Sequence, residues 1–97
     1  MSHYADSDAV TLRLKALKTQ PIDDDLLAEG LQAADEIIDS TVPGAPFTST
    51  VPYQISRAAT YYAAMDILDI MFSNMANRNP IATTYETRAK NILVQFI

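Results

Sequence analysis

The sequence contains no cysteine, only two glycines and a single histidine among its 97 residues. The lack of cysteine excludes a disulfide scaffold and any zinc or iron–sulfur site built on thiolates. His3 has no second metal ligand in register, so the pattern does not favour a catalytic or metal-binding role for it. Hydrophobic residues make up 48% of the chain, and with so little glycine and no extended β-branched alternation they predict an all-α fold.

Basic residues are also scarce. Seven Lys and Arg stand against twelve Asp and Glu, which gives a formal net charge of −5 and a sequence pI near 4.5. Sequence-independent binding to nucleic acid needs clustered cations that displace counterions, so we do not expect it here. The apolar runs are far shorter than the roughly 20 residues of a membrane span, and residues 1–4 lack the features of a signal peptide. We therefore expect one soluble domain.

The most apolar segment spans residues 51–75. Its Val-Pro step follows Ser49 and Thr50, a pattern typical of a helix with Pro52 at its first position. Apolar residues lie on more than one side of this helix, so it must be covered on several sides. The cover comes either from three shorter helices of the same chain or from neighbouring copies.

The remaining segments complete a small four-helix bundle with a long central helix. We predict helices at about residues 7–18, 24–39, 52–76 and 83–96, with a Pro- and Gly-containing loop at 40–50. Residues 1–5 are expected to be a loose or partner-bound end. Gly30 costs about 1 kcal/mol in a helix interior, so it either marks close approach to another helix or is simply tolerated there. Thr83 and Glu86 have the spacing of a capping box.

Several charged and aromatic residues allow more than one interpretation. Asp23, Asp24 and Asp25 suit helix capping better than metal binding, because consecutive side chains ahead of a helix point different ways. Contact with a partner is the third alternative for them. The cations of the first helix, at positions 13, 15 and 18, suit its dipole and are also open to an acidic partner. Phe47 either packs on the core or is offered to a partner.

Two further carboxylates share one face of the central helix, because Asp66 and Asp69 are three residues apart. They form a solvated strip, or meet a neighbouring subunit's Arg or Lys, or act in acid–base chemistry. Nothing else in the sequence supports the catalytic interpretation. The acidic outer face of the second helix is expected to carry Glu29, Asp35, Glu36 and Asp39.

The order of these features resembles the small helical head–tail connector (adaptor) proteins of tailed viruses, from bacteriophages or archaeal viruses, including related gene-transfer particles. The resemblance rests on an N-terminal short helix, the loop at 40–50, and three segments: DDDLLAEGLQAADEIIDS (23–40), VPYQISRAATYYAAMDIL (51–68) and YETRAKNILVQFI (85–97). It implies a structural virion protein with no enzymatic activity, no cofactor and no metal. It also implies a ring, usually of twelve copies, between the portal protein and the next tail component.

This expectation sets the partners and the contact residues. The partners are further copies of the chain, the portal protein and a tail protein, with no membrane and no specific nucleic-acid binding, although DNA passes through the ring. The excess of apolar surface on the central helix fits side-by-side packing of subunits. The residues expected to contact partners are Phe47, Arg57, Tyr61, Asp66, Leu68, Asp69 and Phe72. The alternative function is a small helical regulatory or DNA-associated protein.

The central helix yields a test. Replacing Leu68 with Asp places an unpaired charge in an apolar setting, so we expect Leu68→Asp to cost several kcal/mol or to block assembly. Thermal unfolding and sedimentation measure the two effects. A fully folded, assembling variant would show that this face of the helix is exposed.

Overall fold

The computed structural model describes residues 3–16, 22–47 and 50–96, and these residues form four α-helices without a β-strand. The helices are α1 (Ser7–Ala16), α2 (Asp24–Thr41), α3 (Tyr53–Met71) and α4 (Pro80–Phe96). The predicted all-α class is confirmed. α3 packs against each of the other three, and α2 and α4 flank it without packing on one another. No helix of the described residues is both long enough and apolar enough to span a lipid bilayer.

α3 is buried on every side along its middle, where all eight residues from 58 to 65 are buried. The chain's own helices cover it. Of the two alternatives, helices of the same chain rather than neighbouring copies therefore cover this part of α3. Tyr61 is 5% exposed and Leu68 is 1% exposed. Tyr61 and Leu68, which were expected to contact partners, are thus covered largely by the chain's own helices, while Phe72 is half-buried against the core.

The predicted length of the central helix is also wrong. α3 has 19 residues against 18 in α2 and 17 in α4, so it is not markedly longer than its neighbours. Pro52 is the N-cap rather than the first helical residue, and no side chain caps this end. The helix ends at Met71 because polar Ser73 and Asn74 follow, and such residues compete with the helical backbone. The Ser73 N–H instead bonds the Ile70 carbonyl in a turn, at 3.3 Å.

α2 begins as predicted, because the Asp23 carboxylate accepts the Leu26 N–H at 2.7 Å. The helix extends two residues past the predicted end, to Thr41. Gly30 lies against α3, and a Cβ there would stand 2.6 Å from Ile67 Cγ1 and 3.0 Å from the Ala63 carbonyl oxygen. The predicted close approach is confirmed.

α4 begins three residues earlier than predicted. The Asn79 side chain accepts the Ile81 N–H at 2.8 Å, and Pro80 occupies the first helical position. A proline there loses no hydrogen bond, so the Asn-Pro pair is a stronger start signal than the Thr83 capping box. Glu86, the other half of that predicted box, instead pairs with Arg78 at 3.0 Å.

The N-terminal residues are docked rather than loose, which corrects the expectation for residues 3–5. His3 Nδ1 lies 2.6 Å from Asp35 Oδ2, and the Tyr4 N–H donates to Asp35 Oδ1 at 3.0 Å. The Tyr4 hydroxyl donates to Asp39 and accepts the Phe47 N–H. Burial and the hydrogen bond to Asp39 raise the pKa of Tyr4.

Phe47 is held by the same contacts. Its ring meets the Tyr4 ring edge-on, with centroids 5.8 Å apart, and packs against the core. Asp35, predicted on the acidic outer face of α2, is only 8% exposed because it bonds this N-terminal segment. The predicted extension of the first helix over Leu17 and Lys18, and the predicted Ser49 cap, lie outside the described residues.

The close contact at Gly30 predicts that Gly30→Ala destabilises the fold by about 1 to 3 kcal/mol through overpacking. The Ala63 carbonyl belongs to a helical backbone and has little freedom to move. Denaturant unfolding of the variant measures the loss.

A comparison at an exposed site isolates the helical preference itself. Ala28 is exposed on the same helix, so Ala28→Gly loses about 1 kcal/mol through propensity alone. Stabilisation by Gly30→Ala would contradict the packing described.

Candidate functional site

Three arginines from three different helices surround Tyr61. The guanidinium carbon of Arg13 on α1 lies 4.3 Å from the centroid of the Tyr61 ring, and that of Arg88 on α4 lies 5.9 Å from it. Arg57 precedes Tyr61 by one turn of α3 and lines the same surface recesses. We call Arg13, Arg57, Tyr61 and Arg88 the arginine cluster.

The packing of the helices explains why these side chains meet. α1 packs through the fully buried Val10 and Leu14, which places Arg13 beside α3. Tyr85 of α4 is buried against Tyr61, with ring centroids 5.5 Å apart. Arg88 is three residues after Tyr85 and so lies on the same face of α4.

The cluster is electrostatically unbalanced. Burial alone raises the pKa of the Tyr61 hydroxyl, but its interactions with Arg57, Arg13 and Arg88 outweigh burial and lower that pKa below its ordinary value of 10.0. Within the described residues, no carboxylate forms an ion pair with any of the three arginines. The protein thus holds concentrated positive charge on one surface despite a net charge of −5.

Two open recesses flank Tyr61, with volumes of about 350 and 300 Å³. Tyr53 lines the second recess and is 73% exposed. Ala9 lines the same recess, and Leu12, 68% exposed, follows it by three residues on α1. Arginine and tyrosine are enriched where proteins bind one another tightly, so this surface has the composition of a protein interface.

A second charged surface lies on α2. Its exposed carboxylates Asp25, Glu29 and Glu36 are spaced four and seven residues apart and share one face of the helix. None of them forms an ion pair with another described residue. We call these three residues the acidic ridge.

Asp66 of α3 adds to this negative charge. Its Oδ2 atom is buried and has no hydrogen-bond partner. Burial, followed by the charges of Glu29, Asp69 and Glu36, raises the pKa of Asp66. The interpretation of Asp66 as part of a solvated strip is therefore wrong for this oxygen.

Asp69 differs from Asp66 because it has a partner. Both of its oxygens accept hydrogen bonds from the Arg78 guanidinium at 2.9 Å. Arg78 also bonds Glu86, so it ties the end of α3 to α4. The two carboxylates do not work as a pair, and no group of three metal-ligating side chains forms among the residues described here.

The structure divides the seven predicted contact residues into three sets. Arg57 and Tyr61 meet in the arginine cluster, Asp66 and Asp69 lie elsewhere on α3, and Phe47, Leu68 and Phe72 belong to or pack on the core. The sequence did not reveal that Arg13 and Arg88 join Arg57. The only local signal was the one-turn spacing of Arg57 and Tyr61.

No protein-family model, curated protein or solved structure was found to match this chain.

The arginine cluster predicts a change in the titration of Tyr61. Arg57→Gln removes a positive charge that favours the phenolate, so we expect the pKa of Tyr61 to rise. NMR titration of ring-labelled tyrosine, with Tyr61→Phe to assign the signal, measures it. Lys15→Gln, an exposed change on α1, serves as the control and should leave the titration in place.

Asp66 predicts a dependence of stability on pH. Between the ordinary pKa of 3.8 and the raised folded-state value, the folded chain binds more protons than the unfolded chain, so stability falls as pH rises. Asp66→Asn removes this fall and gains about 1 kcal/mol at pH 7, because no charged oxygen is then left unpaired.

The same substitution at a paired carboxylate is the control. Asp69→Asn weakens the bonds to Arg78, so it lowers stability at pH 7 by up to about 1 kcal/mol. Denaturant unfolding across the acid range distinguishes the two variants. Equal losses from both would show that Asp66 is satisfied in the folded chain.

Proposed function

We propose that this chain is a structural, non-enzymatic subunit of a head–tail connector, the ring that joins the portal to the tail of a tailed virus or gene-transfer particle. The partners are other copies of the chain, the portal protein and a tail-side protein. DNA passes through the ring without being bound specifically. The protein is made in the host cytoplasm and resides in the virion at the head–tail interface.

The order of the sequence segments supports this proposal. A short helix, an Asp-capped helix, a Pro- and Gly-containing loop, an Ala-rich helix and a closing helix follow one another as they do in the connector family that the sequence resembles. The all-α architecture is compatible with that family. The net charge of −5 also suits a channel wall, because like charges repel passing DNA.

The observation that carries the proposal is the arginine cluster. Its three cations come from three helices, have no described carboxylate partner, and lie beside the exposed Tyr53. Arginine and tyrosine are enriched at protein interfaces, so such a surface favours a subunit of an assembly. The clue to assembly is therefore charge rather than the apolar excess of α3.

Purified particles provide the test. Mass spectrometry and electron microscopy of particles from the virus or element that encodes this chain should find it in several copies at the head–tail junction. A portal or capsid gene upstream and tail genes downstream are also expected. Absence from the particle would refute the proposal, whereas a monomer in isolation would not, because such rings can assemble on the portal.

A DNA-associated role is the second candidate, and the arginine cluster also favours it. The basic residues are scattered along the sequence, but Arg13, Arg57 and Arg88 converge in space. Three phosphate contacts would give a slope of about −3 in a plot of log binding constant against log salt. A slope of that size, lost on Arg57→Glu but kept on Lys15→Glu, would favour this role over the connector.

A further inference from the structure

The two unpaired charged surfaces lie on different sides of α3. Tyr61 lies in the arginine cluster, whereas α2, which carries the acidic ridge, packs on α3 at Ala63 and Ile67 through Gly30. Ala63 and Ile67 are two and six residues beyond Tyr61, so they project about 160° and about 120° away from it around a helix. Each subunit thus presents positive charge on one side and negative charge on the other.

We infer that the arginine cluster of one copy binds the acidic ridge of the next copy, in a head-to-tail contact between identical chains. This inference rests on the proposed function and names the surfaces through which the ring would form. The occupant of the arginine cluster is a second copy of this chain, contacted through Glu29 and Glu36.

Charge complementarity is the first argument for this occupant. The cluster offers three guanidinium groups, and the ridge offers three exposed carboxylates; neither surface forms an ion pair with described residues of its own chain. Arginine forms two parallel hydrogen bonds with a carboxylate, which adds direction to the attraction. Positive charge placed over the ridge also offsets the crowding of Asp66 by Glu29 and Glu36.

Symmetry is the second argument. A two-fold dimer through the arginine cluster would bring two sets of arginines together, and a two-fold dimer through the ridge would bring carboxylates together. Both arrangements are repulsive, so complementary contact requires two different patches, which defines a heterologous interface. Because the patches are not directly opposed, successive copies turn relative to one another, as closure of a ring requires.

Exposed apolar groups support a protein rather than a nucleic-acid occupant. Tyr53, which is 73% exposed, lines a recess of the cluster, and Leu12 of α1 is 68% exposed. Aromatic side chains are enriched at protein interfaces.

A charge-swap experiment on the full chain tests the inference. Sedimentation velocity at about 20 mM and about 500 mM NaCl should show self-association of the wild type that salt reverses. Arg57→Glu/Arg88→Glu reverses the basic surface, and Glu29→Lys/Glu36→Lys reverses the acidic ridge. All four residues are exposed, so both variants should keep the wild-type circular dichroism spectrum.

Each variant alone should associate about 100-fold more weakly than the wild type, because like charges then face one another. An equimolar mixture of the two variants should recover association, since each supplies the surface that the other has lost. Lys15→Glu changes an exposed cation of α1 outside the cluster and should associate as the wild type does.

The inference is overturned by a wild type that stays monomeric at low salt, by association unchanged in either variant, or by a mixture that fails to recover it. Duplex DNA binding that is lost only in the basic-surface variant would identify nucleic acid as the occupant and would also overturn it. Failure of the proposed function is separable. If the mixed variants recover association but the protein is absent from purified particles, the connector role is refuted and the interface stands. If the protein is present in particles but the mixed variants do not recover association, only the interface is refuted.

Discussion

Enclosure of α3 is the constraint on which the rest of the fold depends. The other helices meet mainly through it, and its middle offers no side to solvent. Small residues make this possible, because Ala58, Ala59, Ala63 and Ala64 let neighbouring backbones approach closely. Gly30 of α2 packs against α3 at this point, and no side chain larger than hydrogen fits there against Ala63 and Ile67 without a shift. Close packing of these small residues adds to the burial of large side chains such as Ile38, Ile67 and Leu68 in the same core.

Hydrogen bonds between polar groups hold the segments that the apolar core does not fix in place. Asp35 and Asp39 bind His3 and Tyr4, and the Tyr4 hydroxyl in turn accepts the Phe47 N–H, so three distant segments share one network. At another site Arg78 joins Asp69 of α3 to Glu86 of α4. Buried polar groups cost free energy unless they are paired, so satisfied networks of this kind specify one arrangement of the segments. Asp66 is the exception, because one of its oxygens is buried and unpaired.

The same enclosure changes where a clue to assembly is found. The apolar excess of the central helix pointed to neighbouring copies, but the chain's own helices cover Tyr61 and Leu68. The surface instead carries two charged groups of side chains, the arginines around Tyr61 and the carboxylates along the outer face of α2. Separation of opposite charges within one acidic subunit is a surface property that favours association. The proposed connector role therefore rests on electrostatics and on the order of the segments.

The sequence by itself determined the features that depend on neighbours along the chain. Composition and spacing predicted four helices, and Asp23 predicted the start of α2. The interior Gly30 indicated a close contact between helices. Only the tertiary structure decided that His3 and Tyr4 dock onto α2, and that Arg13, Arg57 and Arg88 meet. The physical reason is separation along the chain: capping and periodicity act within one or two turns, whereas the docked segment and the arginine cluster join residues 30 to 75 positions apart.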